Sequence, residues 1–202
     1  MRLPACTCTD EDHPTPGTSR TAPEIDALEA SVSYLDPPVG AAIGSASQSY
    51  QIGPFDLMWR PNTNWIEVYD RQTSSMNAYQ GGIYQQALST VTNLNNAWYD
   101  GNAYQTYGFE YQPGGSGEGY VVWNVGDVKT WKVEGNAIGP NGNVGQRVMP
   151  EEPMALVVNF GMSNSFASLN MSGLGTLMPA TMRLDYIRVY QDEDGELSLI
   201  HI

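Results

Sequence analysis

The sequence predicts an all-β protein, a sandwich or jelly roll formed by one domain. Its 202 residues include 21 Gly, 13 Pro, 12 Tyr and 5 Trp, while only 15% of them are charged. Such a composition is typical of loop-rich β proteins rather than helical ones. Short runs of strand-forming residues also alternate with turn residues along the chain, and no amphipathic helix of convincing length separates them.

The first half of the chain gives the weaker pattern. We predict an extended loop over 1–22, a strand over 23–34, a loop over 36–48, a strand over Ser49–Met58 broken at Gly53-Pro54, and a strand or helical turn over Trp65–Tyr69. In Tyr84–Leu94 the spacing of Tyr84, Leu88 and Val91 fits a helix. Because Val91 and several Thr residues favour a strand, we predict a strand there.

The second half shows clearer strand signals. Aromatic residues alternate with small or polar ones in Tyr104–Tyr111, and Gly126-Asp127 joins two strand-like runs into a compact hairpin. The hairpin strands are Tyr120–Val125 and Val128–Glu134. We predict that the apolar run Met154–Phe160 is a strand covered on both faces, and that Thr181–Gln191 closes the domain. The domain then spans 1–192, and 193–202 form a disordered or non-native tail.

Charge and composition exclude several function classes. A net charge of −13 and a pI near 4.3 would repel phosphate backbones, so we expect no nucleic-acid partner. A neutral polysaccharide is compatible with this charge. No run of about 20 apolar residues occurs, and we expect no signal peptide before the polar N-terminal loop.

The few histidine and cysteine residues exclude further kinds of catalytic and metal site. His13 and His201 are the only histidines, which argues against a Ser-His-Asp triad and against a zinc site, and we expect no metal and no cofactor. Cys6 and Cys8 are too close together for an unstrained bridge. They are either half of a disulfide framework with partners outside this chain or a pair of free thiols.

The hexapeptide Glu24-Ile25-Asp26-Ala27-Leu28-Glu29 carries the strongest functional signal. On a regular strand Glu24 and Asp26 share a face and Glu29 points away. One β-bulge at Ala27 or Leu28 would bring Glu29 round to the same face. Three neighbouring carboxylates raise the pKa of at least one of them, which yields the ionised nucleophile and protonated acid of retaining glycoside hydrolysis. The alternative is a chance pattern on a solvated helix.

This hexapeptide resembles the bulged signature of glycoside hydrolase family 16. The segments Tyr107–Tyr111, Pro153–Met162 and Met182–Gln191 are similar to later strands of that family's domain and occur in its order. The N-terminal Ala5-Cys6-Thr7-Cys8, with Glu11–Pro14, and the runs Tyr84–Ala87 and Val91–Leu94 are similar to its branch of fungal β-glucan synthesis-associated proteins in particular.

The resemblance implies a concanavalin A-like jelly roll whose concave face holds cell-wall β-glucan. By residue-to-residue matching, it implies that Glu24 is the nucleophile, Asp26 supports it and Glu29 is the general acid/base. Many hydrolytic members have a histidine where this chain has Gln105, which we expect near the substrate. The family's catalytic strand normally lies mid-domain but begins here at residue 24. We therefore expect the N-terminal strands, and any membrane anchor, to lie outside this chain.

Further site predictions concern sugar contacts and glycosylation. Any of the five Trp residues would suit a pyranose face or a place in the core or rim; Trp98 and Trp123 are our candidates for substrate contact. Asn170-Met171-Ser172 is a formal N-glycosylation acceptor, which matters only in a secretory compartment. The alternative is a chance tripeptide.

Three hypotheses remain at this level. The first is a retaining glycosidase or transglycosylase acting in fungal β-1,6-glucan biosynthesis. The second is a non-catalytic glucan-binding or scaffolding module of the wall assembly machinery, and the third is an inert fragment of either. The family context implies a membrane-anchored protein facing the lumen of the secretory pathway or the cell exterior.

Overall fold

Two antiparallel β-sheets pack face to face in the computed structural model of the chain. The structure describes residues 5–6, 19–20, 22–35, 40–53, 58–82, 85–115, 117–142, 145–191 and 198–201. Helical structure in these ranges is limited to short 3₁₀ turns and one four-residue α-helix. The predicted all-β sandwich of jelly-roll type is confirmed.

The elements follow in chain order. The strands are β1 (Ala5–Cys6), β2 (Ser19–Arg20), β3 (Glu24–Tyr34), β4 (Ala42–Ile52), β5 (Ile66–Val68), β6 (Ser74–Met76), β7 (Gly81–Gly82), β8 (Gln85–Asn93), β9 (Tyr107–Gln112), β10 (Tyr120–Val125), β11 (Val128–Glu134), β12 (Arg188–Gln191) and β13 (Ser198–His201). The 3₁₀ turns are Thr63–Trp65, Asn96–Trp98, Gly135–Ile138 and Met171–Gly173, and helix α1 is Leu174–Leu177.

The larger strands divide between two sheets. The five-stranded sheet has the order β3-β4-β8-β6, with β7 also paired to β8, and the six-stranded sheet has the order β12-β13-β9-β10-β11-β5. β1 and β2 form a separate pair. The predicted hairpin is confirmed, because Gly126 takes a positive φ of 59° and Val125 pairs with Val128. Strands predicted over 23–34 and Tyr84–Leu94 are confirmed as β3 and β8.

The core lies between the two sheets. Tyr50 and Leu88 from one sheet meet Val121, Trp123 and Trp131 from the other in one apolar cluster. Trp123 and Trp131 are register partners on β10 and β11, and their rings stack at a centroid distance of 4.2 Å and an interplanar angle of 6°. These two rings bury more apolar surface than any aliphatic pair of the same strands would.

The sequence predictions for the segments 36–48 and Met154–Phe160 are wrong. The loop predicted over 36–48 is replaced from Ala42 onward by strand β4, whose small alternating residues carry little apolar signal. The run Met154–Phe160 forms no strand, and Val157 and Phe160 are 77% and 63% exposed. A continuous apolar run favours a buried strand, but a strand also needs the free edge of another strand to pair with. Among the described residues, no strand pairs with Met154–Phe160.

The C-terminal region also differs from the prediction. Of Thr181–Gln191 only β12 is a strand, and all its residues are exposed. The backbone of β13 pairs with both β12 and β9, and the disordered or non-native tail over 193–202 stays a prediction. His13, Cys8 and the acidic run Asp192–Glu196 lie outside the described residues. Across the described ranges, none of the helices has the length and apolarity to cross a membrane.

Candidate active site

A β-bulge in β3 arranges the three carboxylates of the hexapeptide. Asp26 lies opposite Ser49 and Glu29 lies opposite Ser47, so three steps along β3 match two steps along β4. Ala27 faces the core at 7% exposure, whereas Leu28 is 39% exposed. The predicted bulge is therefore confirmed, and it places Glu29 on the face that carries Glu24 and Asp26.

The outer face of the five-stranded sheet is polar around these carboxylates. On β4 the residues of this face are Ser45, Ser47, Ser49 and Gln51, which lie opposite Ser31, Glu29, Asp26 and Glu24 of β3. Strand β8 continues the face with Ala87 and Ser89, the partners of Gln51 and Ser49. We call this surface the polar face. Its four β4 side chains are between 0% and 7% exposed.

Hydrogen bonds fix the central carboxylate. Gln51 Nε2 donates to Oδ2 of Asp26 at 2.9 Å, and the Ser49 hydroxyl donates a short hydrogen bond to the same oxygen. Gln85 in turn donates to Oε1 of Gln51. The chain of donors holds Asp26 in one position between its two glutamate neighbours. An oriented carboxylate at this point acts as a fixed negative charge for both of them.

Burial and neighbouring negative charge change the pKa of each of the two glutamates. Burial, followed by the negative charges of Asp26 and Glu24, raises the pKa of Glu29 to about 7 from its ordinary 4.5. Burial and then the charge of Asp26 also raise the pKa of Glu24. Near pH 6 Glu29 is therefore mostly protonated and can donate a proton. Such a pair can supply an acid and a nucleophile on one face.

The backbone of the bulge is held from inside the sandwich. Trp123 Nε1 donates to the carbonyl oxygen of Asp26 at 3.0 Å, and Gln48 Nε2 donates to that of Ala27 at 3.1 Å. Gln48 belongs to β4 and Trp123 to β10 of the opposite sheet. The carboxylate strand is thus connected to both sheets at the bulge itself.

The predicted sugar-contact residues do not lie on the polar face. Trp123 is 0% exposed and stacked in the core, so the substrate role predicted for it is corrected to a structural one. Trp98 packs against Ala46, Leu94 and Val125, on the inter-sheet side of β4. Gln105 accepts a hydrogen bond from the backbone N–H of Thr106 and lies next to Gly126. Alternation by two along β4 explains why Ala46 and Ser47 face opposite ways.

Asn170 is exposed and begins the 3₁₀ turn Met171–Gly173. Its Oδ1 accepts hydrogen bonds from the Gly173 N–H at 3.1 Å and from the Ser172 hydroxyl at 2.7 Å. The side chain is accessible to solvent. N-glycosylation at Asn170 stays a prediction.

Sequence reasoning missed the donors on β4. Gln48, Ser49 and Gln51 all contact the bulge or Asp26, yet part of this segment was predicted as loop. The available signal was an alternation, since Ser45, Ser47, Ser49 and Gln51 are interleaved with residues that face the core. Small polar residues at every second position are compatible with a strand that has one polar face. In the part of the chain that the structure describes, no group of three or more metal-ligating side chains is placed to hold an ion.

The fold and site define an all-β sandwich protein with a three-carboxylate cluster on one bulged strand. Residues 1–199 match the family model described as beta-glucan synthesis-associated protein SKN1/KRE6/Sbg1, and the chain belongs to this family. No solved structure matches the chain.

Curated relatives in two yeasts are similar along almost the whole chain. It is 44% identical to the beta-glucan synthesis-associated protein SKN1 of Candida albicans over 198 residues, covering 96% of this chain and 26% of that protein. It is 42% identical to the protein KRE6 of Saccharomyces cerevisiae over 199 residues, with the same two coverages, 96% and 26%. The chain thus spans about a quarter of the length of these relatives.

Proposed function

We propose that the polar face is the catalytic centre of a retaining glycosidase or transglycosylase of glycoside hydrolase family 16 type, acting on cell-wall β-glucan. The observation that carries the proposal is the bulge that puts Glu24, Asp26 and Glu29 on one face of β3. The raised pKa of Glu29 supports the assignment, because a retaining mechanism needs one protonated carboxyl beside a nucleophilic one.

The roles follow from the protonation of the two glutamates. Glu24 attacks the anomeric carbon while Glu29 gives its proton to the departing glycosidic oxygen, and a glycosyl ester on Glu24 forms. The Glu29 carboxylate then removes a proton from water or from a sugar hydroxyl while the oxygen of that acceptor attacks the anomeric carbon. The bond to Glu24 breaks, and both glutamates return to their starting forms. Asp26, held by Ser49 and Gln51, positions Glu24 and adds negative charge beside the positively charged transition state.

The name of the family supports a proposed role in wall assembly. Relatives at 42–44% identity are named beta-glucan synthesis-associated proteins. We therefore propose that the substrate is a β-glucan polysaccharide of the fungal wall, in β-1,6-glucan biosynthesis. Transfer to a second sugar would suit wall synthesis better than hydrolysis. A membrane-anchored protein in the secretory pathway or at the plasma membrane, facing the lumen or the exterior, is part of this proposal.

Replacement of each glutamate tests the proposal. The variants Glu24→Gln and Glu29→Gln are compared with wild type on β-1,3- and β-1,6-linked glucan oligosaccharides, with products resolved by chromatography. We expect Glu29→Gln to lose about 10²–10⁴-fold in rate, the usual contribution of a general acid. Glu24→Gln should form no glycosyl ester. The anomeric configuration of the first product, read by NMR, should be retained.

A matched control comes from the other sheet. Glu67 on β5 is an exposed glutamate of the six-stranded sheet and is not part of the polar face, so Glu67→Gln should leave the rate unchanged. If Glu24→Gln also keeps full transfer and hydrolysis, catalysis by this face is excluded. Retained glucan binding in that case would favour the scaffolding function instead.

A further inference from the structure

The bulge in β3 creates backbone acceptors that the strand ladder does not pair in the regular way. Residues at a bulge leave the ladder locally disrupted, and a buried carbonyl without a donor costs free energy. The register with β4 shifts after Asp26, so Asp26 immediately precedes the bulge and Ala27 is its first residue. Their carbonyl oxygens accept the hydrogen bonds from Trp123 Nε1 and Gln48 Nε2, and both donor side chains are 0% exposed.

Both donors are themselves fixed by the opposite sheet. Gln48 Nε2 also donates to the carbonyl of Asn124 at 3.1 Å, and the Thr130 hydroxyl donates to Gln48 Oε1 at 2.6 Å. The Trp123 ring is held by its stack on Trp131. Neither donor can therefore follow the bulge if the strand relaxes. The bond lengths of 3.0 and 3.1 Å are those of ordinary, well-formed N–H···O bonds.

We propose that Trp123 and Gln48 are positioning residues for the carboxylate cluster: by binding the two bulge carbonyls from inside the sandwich, they fix the placement of Asp26 and Glu29 on the polar face. The proposal rests on the proposed function for its catalytic meaning. Its geometric content is independent, because the position of Glu29 can be measured without substrate. Neither residue touches the substrate in this scheme.

Each bond has a predictable effect on Glu29. With Trp123 donating, β3 is pinned towards the core and Glu29 stays half-buried next to Asp26. If the bond is lost, the bulge can move outward and the Glu29 carboxyl gains water. The neighbours that face Glu29 are Asp26 and Glu24 on its own strand and the uncharged Ser47 on β4. Greater exposure should therefore lower the pKa of Glu29 towards 4.5.

The chain offers a matched pair of substitutions for this test. Trp123→Phe keeps a stacked aromatic ring but removes the indole N–H that binds Asp26. Trp131→Phe makes the same change in the other ring of the stack, and Trp131 Nε1 donates no hydrogen bond to any described residue. Both variants remove a similar amount of buried ring from one core cluster. Any difference between them isolates the hydrogen bond from the packing.

The primary readout is the pKa of Glu29 in the 202-residue chain, titrated by carboxyl ¹³C NMR and assigned with Glu29→Gln. We expect Trp123→Phe to lower this pKa by about 1 unit, because loss of the hydrogen bond to Asp26 lets the strand move outward and exposes the Glu29 carboxyl to water. Trp131→Phe should leave it within about 0.3 units. On glucan oligosaccharides, Trp123→Phe should reduce kcat about tenfold with KM changed less than twofold.

A second variant covers the case in which Trp123→Phe does not fold. Gln48→Met keeps the side-chain length and removes both donors, and it should lower the pKa of Glu29 in the same direction. The positioning role would be overturned if Trp123→Phe and Trp131→Phe changed the pKa of Glu29 equally. It would also be overturned if this pKa stayed unchanged in both Trp123→Phe and Gln48→Met. If the wild-type chain neither cleaves nor transfers glucan, the proposed function fails, and the pKa comparison still decides whether the two donors position Glu29.

Discussion

Glu24 and Glu29 lie on the same face of β3 although Glu29 is five positions after Glu24, an odd step that would put the two side chains on opposite faces of a regular strand. The extra residue is absorbed at Ala27 and Leu28, where the register with β4 shifts. Because Ala27 fills a core position and Leu28 is exposed, Leu28 is the residue that the ladder does not need. In this sequence the shared face of the two glutamates, and the local twist of the strand between them, are therefore consequences of the bulge.

Deletion of Leu28 should separate folding from catalysis. The shortened strand can pair regularly with β4, with Asp26 and Glu29 still opposite Ser49 and Ser47. Far-UV circular dichroism should therefore stay close to that of wild type. The local twist that the bulge adds would be lost, so the Glu29 carboxyl would point in a different direction. We expect glucan cleavage or transfer to fall about 10²-fold or more, the usual cost of misplaced reacting groups. Activity near the wild-type level would show that the bulge does not set the productive direction of the carboxyl groups.

The pH dependence of activity should follow the protonation of Glu29. The acid must be protonated to donate to the leaving oxygen, so kcat/KM should fall as the pH rises through about 7, the pKa of Glu29. The measurement is an initial-rate profile on a glucan oligosaccharide between pH 4 and 9. Glu29→Gln should lose this alkaline limb together with most of its activity. A limb that persists in Glu29→Gln would assign the proton to another group.

Glu29 should also make the folding stability depend on pH. Its pKa is about 7 in the folded chain against an ordinary 4.5, so the folded state disfavours the charged form. Below about pH 4.5 Glu29 is protonated in both the folded and the unfolded chain and does not reduce the stability. As the pH rises from 4.5 towards 7, the carboxyl ionises more readily in the unfolded chain, so the free energy of unfolding falls. Relative to wild type, Glu29→Gln should therefore gain stability over that interval, by about 1 kcal/mol at pH 8 once solvent screening of a half-exposed carboxylate is allowed for.

Urea unfolding followed by tryptophan fluorescence at several pH values measures this difference. Glu118, an exposed glutamate outside the polar face, provides the control variant Glu118→Gln. Its stability relative to wild type should not change across the same interval. A constant difference for Glu29→Gln as well would mean that the Glu29 carboxylate is solvated like an ordinary one.

Arg147 should stabilise the end of the sandwich next to Trp59. Its Nε donates to the Ile138 carbonyl at 2.8 Å, and its Nη1 donates to Gly53 O at 2.9 Å and to Gln86 Oε1 at 2.8 Å. Arg147→Met leaves these acceptors without the charged donor, and we expect a loss of about 2–3 kcal/mol in the free energy of unfolding. Arg71→Met, at an exposed turn, should change it little. Equal effects of the two changes would contradict this role.

The sequence by itself determined the local features of this protein. Gly126 between two strand-like runs specifies the hairpin of β10 and β11, because a short turn with positive φ needs no distant contact. The spacing of Glu24, Asp26 and Glu29 predicted a bulge at Ala27 or Leu28, since only one extra residue lets all three share a face. Periodicity and turn chemistry act over a few residues and are visible in the chain.

Tertiary structure alone decided which side chains support the carboxylates. Trp123 reaches Asp26 across 97 positions of sequence, a contact that exists only because the two sheets pack face to face. For the same reason the ring predicted to contact sugar lies in the core, and Gln48, predicted within a loop, binds the bulge. Met154–Phe160 was predicted as a strand and forms none, because an apolar run does not specify a strand edge with which it could pair. The chain contains several tryptophan and glutamine residues that could donate such hydrogen bonds. Which of them reach the bulge depends on how the two sheets pack, and no local sequence pattern shows it.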